Sequence, residues 1–440
     1  MSLYNRADRL RQVMKVHSEK SSFSSDSLKK LIVDAGNKEI LDIQLEALKE
    51  INKIISGFDD YAVDQLIVNG ILPVILSCAK QVEYLEVQRE SALILNNILA
   101  GRADHLKLAV EAGALPILLN MLNSSSPEIC EKAAIAFTNT GVCGSSVYLQ
   151  DAVESGLVQA LIALYERFNN YLTIKRNVSC NLRYICQKIS YKSTINDILP
   201  VIKTLLTDPD METKLDALYA VTHLTMYDSN VIQLLIDRGI IAQVIPCLTS
   251  LDVKLLAVAL RAIGNTLVGT EAQAQYVLHN NVLKYMPSLL THTHNIIRKA
   301  SLWCMTGLLG NNECQIQAVI NAGLLPKIIK NLQDTDFDIK KEATWALFNL
   351  TAIGSRDQVW TVIKDGSISP LCALLKCYDE DLLDLSLQVI AYIIENAGAL
   401  ITHVVSLIKM CKITERLQQL IKHKCEQIQS LAREILKKID

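Results

Sequence analysis

The chain has 440 residues, half of them apolar and only 5% aromatic, with 17 Gly and 9 Pro. Its formal net charge of −2 excludes a global electrostatic attraction to nucleic acid or to an anionic membrane. A composition rich in Leu, Ile, Val and Ala and poor in Gly and Pro favours an all-α protein over a sandwich or a barrel.

The twelve Cys are scattered along apolar runs without a C-x-x-C motif, which predicts free, buried thiols in a reducing compartment. The N-terminal residues lack the apolar core of a secretory signal, and no apolar run is long enough to span a bilayer. We therefore expect a soluble protein of the cytoplasm and nucleus. No catalytic triad, phosphate loop or metal-ligand spacing stands out, so we predict no enzyme activity, no cofactor and no metal site.

Residues 1–26 are polar, with dispersed basic side chains and a Ser-rich end, and are predicted to form a flexible segment. Asp26 or Ser27 is expected to cap a helix that starts at Leu28. A repeating turn signal follows at Gly70, Gly113, Gly156, Gly239, Gly323 and Gly366.

The spacing of these glycines is regular. Gly113 follows Gly70 by 43 residues, and Gly156 follows Gly113 by another 43. The two longer gaps are close to two periods, so turns without Gly are predicted at residues 196–200 and 280–281. A period near 42 residues is typical of armadillo or HEAT repeats. We predict an all-α, armadillo-repeat, right-handed superhelical solenoid of about nine or ten repeats over residues 27–400, with a concave groove and with capping helices at 401–440.

The stretch 341–351 indicates what the groove could hold. Trp345 and Asn349 are four residues apart without Gly or Pro between them, so they share a helix face with Glu342, opposite an apolar stripe. Asn can bond a peptide backbone, and an indole can take the stem or charge of a Lys or Arg. A Trp on such a helix can also be a core residue, but the Asn partner and the 42 residues from Trp303 to Trp345 favour binding.

Alignment on the glycine turns gives two series of positions. The Trp positions are Leu93, Ile135, Cys180, Tyr219, Arg261, Trp303 and Trp345. The Asn positions are Asn97, Asn139, Tyr184, His223, Asn265, Gly307 and Asn349.

Residues 27–440 resemble the importin-α family of nuclear import adaptors, most specifically in 260–270 (LRAIGNTLVGT), in Pro287-Ser-Leu-Leu and in 341–351. The family grips extended basic nuclear localisation signals with Trp-x-x-x-Asn pairs, at a major N-terminal site and a minor C-terminal site. By this resemblance the minor site comprises Arg261, Asn265, Glu271, Trp303, Glu342, Trp345 and Asn349. The major site is degenerate, because its Trp positions are Leu93, Ile135 and Cys180 and its Asp aligns with Cys143. It would retain Asn97, Asn139, Tyr219 and His223.

The resemblance implies basic nuclear-localisation-signal proteins as partners, bound mainly at the minor site, with importin-β and a nuclear export receptor as transport partners. The family's densely basic importin-β-binding segment has only Arg9-Leu10-Arg11 as a counterpart here. The alternative hypothesis is a non-transporting armadillo scaffold that binds another extended protein segment, without nucleic acid or membrane as a ligand. Retention of Trp345, Asn349 and Arg261 in register favours the adaptor.

Overall fold

The computed structural model describes residues 25–56, 60–143, 146–188 and 192–439, and all regular structure within these ranges is helical. Contacts divide the chain into two compact units, Met1–Ala220 and Val221–Asp440. The helices of the first unit are α1 Ser25–Ala35, α2 Leu41–Ile55, α3 Asp60–Val68, α4 Ile71–Ala79, α5 Leu85–Leu99, α6 Ala103–Glu111, α7 Ala114–Leu122, α8 Pro127–Cys143, α9 Ser146–Glu154, α10 Leu157–Phe168, α11 Leu172–Lys188 and α12 Lys192–Leu205.

Helix α13, Met211–Leu224, contains the boundary between the units. The helices of the second unit are α14 Ser229–Asp237, α15 Ile240–Val244, α16 Val253–Leu267, α17 Glu271–His279, α18 Met286–Leu289, α19 Asn295–Leu309, α20 Glu313–Asn321, α21 Leu325–Asn331, α22 Phe337–Ile353, α23 Arg356–Lys364, α24 Ile368–Leu374, α25 Glu380–Asn396, α26 Ile401–Met410, α27 Thr414–Leu420 and α28 Glu426–Ile439. Short 3-10 helices occupy Ile245–Thr249, Val282–Lys284 and Gly398–Leu400.

Each unit is a stack in which the long third helix of one repeat packs on that of the next. In the first unit α2 packs on α5, α5 on α8 and α8 on α11, and in the second unit the series runs through α16, α19, α22, α25 and α28. Helix α16 illustrates the cause, since Leu255, Ala259, Ala262 and Ile263 lie on one face and are at most 2% exposed. Burial of each large apolar side chain contributes about 1.5–3 kcal/mol, which a single repeat could not obtain alone.

The predicted glycine turns are confirmed. All six glycines of the repeat signal have a positive φ, between 66° and 101°, a conformation that side chains with a Cβ rarely adopt. The predicted turn at 280–281 is also confirmed, because Asn281 takes the same left-handed conformation with a φ of 59°. Each of these turns joins the two short helices of a repeat, as Gly70 does between α3 and α4.

The predicted turn at residues 196–200 is wrong. The structure has one continuous helix there, α12, with Pro200 inside it. Asn196 and Asp197 can adopt a left-handed conformation, as Asn281 does, but they do not favour it as glycine would, and here they lie inside the helix. The helix tolerates Pro200 at the loss of one backbone hydrogen bond.

The structure describes the two ends of the chain to different extents. Residues 1–24 of the predicted flexible segment lie outside the described residues. The first helix begins at Ser25 and not at Leu28. Asp26 therefore lies within the first helical turn, where its negative charge interacts favourably with the helix dipole. At the other end, within residues 401–440, α27 and α28 pack together, and α28 also packs on α25.

The described cysteines are free, and six of the eleven are buried. Burial raises the pKa of the Cys304 thiol to about 12. Within the described residues no single helix has the length and apolar composition needed to cross a membrane. Four pairs of consecutive helices have this length and composition when the two helices are taken together, but each pair is sharply bent at the break between them.

Candidate peptide-binding site

Helix α22 presents Trp345 and Asn349 on the same face. The Asp336 side chain caps the helix by accepting hydrogen bonds from the backbone N–H groups of Asp338 and Ile339, which have no partner within a helix. The packing stripe on the other side is fully buried, whereas Trp345 is 40% exposed and Asn349 is half-buried. The structure therefore places this pair as the sequence spacing predicts.

Aromatic neighbours hold the Trp345 ring. The ring of Phe348 meets it edge to face, with the centroids 5.3 Å apart, and Phe348 in turn lies 5.8 Å from Tyr392 on α25. Contacts of this kind contribute about 0.5–1.5 kcal/mol each beyond burial. Because they fix the indole and leave two fifths of it accessible, the ring can receive the stem of a Lys or Arg without first having to be ordered.

Three of the asparagines at the Asn positions make the same internal hydrogen bond. The side-chain amide of Asn349 donates to the Thr306 carbonyl at 2.9 Å, and that of Asn265 donates to the Thr222 carbonyl at 3.3 Å. Asn139 makes the corresponding bond, to the carbonyl 43 residues before it. Each amide thus donates one N–H to the preceding repeat and is oriented by it. The Asn265 amide also donates to the Thr225 hydroxyl at 2.9 Å, so its side-chain oxygen is the group left for a peptide backbone. In Asn349 the second N–H and the side-chain oxygen can both bond a peptide backbone.

A glycine makes room for Asn349. A Cβ on Gly310 would lie 2.8 Å from Nδ2 of Asn349 and 3.1 Å from the Thr306 carbonyl oxygen. Any larger residue would therefore push the amide out of its hydrogen bond with Thr306. Gly310 is a residue of this site that sequence reasoning missed, and the Gly after the repeat helix is the only signal for it.

Glu342 is an acid without an internal cation. Burial raises the pKa of its carboxyl above the ordinary value. The two nearest lysines are committed elsewhere, because Lys299 lies 2.5 Å from Asp338 and Lys341 lies 2.8 Å from Asp381. Among the described residues, nothing forms an ion pair or a hydrogen bond with the Glu342 side chain.

Two other repeats carry an acid at the corresponding place, three residues before the Trp position. The carboxylate of Glu90 accepts a hydrogen bond from Asn52 at 2.7 Å and pairs with Arg89 at 3.1 Å. Asp216 pairs with Arg183 at 2.9 Å. Of the three acids, Glu342 alone is left for an external cation.

Arg261 and Trp303 contact each other. The Arg261 guanidinium lies 5.3 Å from the centroid of the Trp303 ring. A Cβ on Gly264 would lie 2.3 Å from a carbon of that ring, so only glycine lets Trp303 pack this closely on α16. The cation stacked on Trp303 is thus the chain's own Arg261.

Two other positions in this part of the chain are Glu271 and Gly307. Glu271 is exposed at the start of α17, and its carboxylate accepts a hydrogen bond from the side chain of Asn312. At Gly307, where the Asn is missing, a Cβ would lie 3.2 Å from Cβ of Leu267. The close approach of α19 to α16 at this point favours glycine.

In the first unit the Trp positions offer no aromatic slot before Tyr219. Leu93 and Ile135 are half-buried, and Cys180 is only 9% exposed. Asn97 and Asn139 are half-buried on their helices, as are Tyr184 and Tyr219. The Cys143 side chain lies outside the described residues. His223 is half-buried at the end of α13, in the second unit.

The two series of positions continue into α25. The residues 43 positions after Trp345 and Asn349 are Gln388 and Tyr392, and both line a cavity of about 310 Å³ between α25 and α28. Glu395 and Glu434 line the same cavity. Sequence reasoning placed α25 in the stack but did not assign these side chains to the groove face.

One cluster of acids and a histidine resembles a metal-ligand set, but an Arg side chain pairs with its carboxylates. Asp64, Asp104 and His105 bring their ligand atoms within 4.8 Å of one another. The Arg102 guanidinium lies 2.7 Å from Asp64 and 2.8 Å from Asp104. The geometry is that of an ion-pair network between α3 and α6, with the ring nitrogen of His105 2.7 Å from Asp64.

Comparisons with known proteins agree with the repeat architecture. Residues 311–352 match the armadillo/beta-catenin-like repeat family, and residues 86–140 match the HEAT-like repeat family. The crystal structure of an engineered protein superposes with a TM-score of 0.83 at 23% identity and covers 95% of this chain and 99% of its own. A designed armadillo repeat protein in complex with the peptide (KR)4 matches 55% of this chain and 99% of its own, with a TM-score of 0.51 at 26% identity.

Plant proteins are similar in sequence. Importin subunit alpha-1b of Oryza sativa subsp. japonica is 30% identical over 351 residues, which is 79% of this chain and 65% of the relative. Importin subunit alpha-8 of Arabidopsis thaliana is 30% identical over 342 residues, which is 77% of this chain and 75% of the relative. The chain thus spans just under two thirds of the first of these relatives and three quarters of the second.

Proposed function

The chain belongs to the importin-α family, and from this premise we propose that it is a non-enzymatic nuclear import adaptor of the cytoplasm and nucleus. It binds the basic segment of a nuclear localisation signal, mainly in the second unit. The single observation that carries the proposal is the arrangement on α22, where an accessible, fixed indole, an oriented Asn amide and an acid without a cation lie on one helix face.

Each part of this face suits one feature of an extended basic peptide. The Asn349 and Asn265 amides bond the peptide backbone, and the Trp345 ring covers the stem of a Lys or Arg. The Glu342 carboxylate attracts the charge at the end of that stem. Arg261 can remain on Trp303 and still donate to peptide carbonyls, so the stacking of peptide cations is concentrated at Trp345.

A paired mutation tests the proposal. Trp345→Ala with Asn349→Ala should weaken binding of a (KR)4 peptide by about 2–4 kcal/mol, because it removes a stacking surface and backbone bonds. The matched change in the first unit, Leu93→Ala with Asn97→Ala, should cost less than about 1 kcal/mol, because it removes no aromatic ring. Titration calorimetry measures both.

Melting curves must first show that both double variants are folded, since Leu93 is half-buried and its truncation can loosen α5. A larger effect of the first-unit pair would contradict the proposed site. A pull-down from extract separates adaptor from scaffold: an adaptor recovers importin-β together with basic cargo, and a non-transporting scaffold recovers neither.

A further inference from the structure

Arg183, on α11 of the first unit, sits between two tyrosine rings. Its guanidinium carbon is 4.1 Å from the centroid of Tyr219 and 5.5 Å from that of Tyr184. One of its nitrogens lies 2.9 Å from a carboxylate oxygen of Asp216. The side chains of Arg183 and Asp216 are only 11% and 8% exposed, so the cation is enclosed.

The surroundings of Arg183 repeat the register of the proposed binding face. Tyr219 occupies a Trp position, and Tyr184 occupies an Asn position. Asp216 precedes Tyr219 by three residues, as Glu342 precedes Trp345. An aromatic ring and an acid in this relation are therefore present once in each unit. In the first unit the cation between them is supplied by the chain itself.

The fixed position of Arg183 contrasts with that of Arg261. Arg261 also stacks on a ring at a Trp position, but it is exposed and, within the described part of the chain, has no carboxylate at ion-pair distance. The Arg261 side chain can therefore move away from the ring. Moving the Arg183 side chain away would cost more free energy, because the buried Asp216 carboxylate would then lose its cation. Burial already raises the pKa of the Asp216 carboxyl, although Arg183 acts to lower it.

We propose that Arg183 is a built-in occupant of a cation-binding position in the first unit, where it takes the place of a Lys or Arg side chain of a basic peptide. Arg183 is then a specificity-determining residue: it closes this position to basic cargo and leaves discrimination of cations to Glu342 and Trp345. The inference rests on the proposed function for the class of ligand, since both concern basic peptides. Its test differs from that of the proposed function, because it measures a gain of binding and not a loss.

The test starts from the variant with Trp345→Ala and Asn349→Ala, in which the second-unit site is removed. Adding Arg183→Ser should open the position, so that (KR)4 binds at least tenfold tighter than to this parent in calorimetry. Arg183→Lys should give no such gain, because it keeps a cation beside Asp216. Arg176→Ser is the matched control: Arg176 also pairs with two acids, Asp210 and Glu212, but no aromatic ring of the described residues lies over it.

No gain in a folded Arg183→Ser variant, or an equal gain with Arg176→Ser, would overturn the inference. If Arg183→Ser does not fold, Arg183→Gln in the same parent decides, because it removes the charge and keeps most of the side-chain volume. It should also bind (KR)4 at least tenfold tighter than the parent does, and no gain in a folded Arg183→Gln variant would refute the assignment. If the unchanged chain bound no (KR)4 at all, the proposed function would fail while the gain with Arg183→Ser stayed measurable.

Discussion

The ionisation of Glu342 should control binding of basic peptides. Burial raises the pKa of its carboxyl, so on acidification it loses its charge at a higher pH than an exposed Glu does. We expect the affinity for a basic peptide to fall as the pH is lowered from about 7 to about 5, and Glu342→Gln to remove this dependence. Calorimetry at several pH values checks it. An unchanged pH profile in Glu342→Gln would show that another group is responsible.

The same pKa shift makes a prediction about stability. A carboxyl whose pKa is raised in the folded state binds more protons folded than unfolded, so its contribution to stability falls as the pH rises through that range. At neutral pH the charged Glu342 therefore destabilises the free protein. Glu342→Gln should melt at an equal or higher temperature while binding peptide more weakly.

The exposed Glu39→Gln should change neither the melting temperature nor peptide affinity and serves as the control. A clear fall in the melting temperature of Glu342→Gln would mean that the carboxylate has a stabilising partner in solution.

Gly310 should matter for binding through Asn349. In Gly310→Ala the new methyl group would displace the Asn349 amide from the Thr306 carbonyl, and the expected loss of peptide affinity is about 0.5–1.5 kcal/mol, the value of one hydrogen bond. The φ of Gly310 is −96°, so the backbone itself accepts alanine. A double-mutant cycle gives the check: in the Asn349→Ala background, Gly310→Ala should have no further effect on affinity.

At the scale of elements, the turn between the short helices depends on a left-handed residue. Gly323 has a φ of 66°, and its Cβ position is empty space, so Gly323→Ala carries only the backbone cost of about 1–2 kcal/mol. Asn281 holds the equivalent turn of the preceding repeat with a φ of 59°. Asn281→Gly should change stability by less than about 0.5 kcal/mol.

Denaturant unfolding of the two turn variants measures the difference. Equal stability of Gly323→Ala and the unchanged chain would mean that the turn can relax into another conformation.

At the scale of the whole molecule, the charge distribution limits how binding can depend on salt. A net charge of −2 provides almost no general attraction for a cationic peptide. The decline of affinity with added salt should therefore come from local acids, above all Glu342, whose partial burial weakens screening. Glu342→Gln should flatten the plot of log affinity against log salt concentration. A slope that survives in this variant would point to the acids lining the cavity between α25 and α28.

Much of this architecture is determined by local sequence. Positive φ at Gly70, Gly113 and the other turn glycines is a property of single residues, and the shared face of Trp345 and Asn349 follows from helical spacing, so both could be predicted. The turn at 196–200 was wrong because no glycine enforced it and the helix was the better alternative.

The tertiary structure decided which side chains have partners. Asp216 and Glu342 hold equivalent positions in sequence, yet Asp216 is neutralised by Arg183, 33 residues before it, while the lysines near Glu342 turn to other acids. Likewise, only the packing of α19 on α16 shows that Arg261 covers Trp303. Periodicity identifies the face of a helix on which a residue lies. Which charge is already satisfied depends on contacts between repeats, and these arise only when the helices stack.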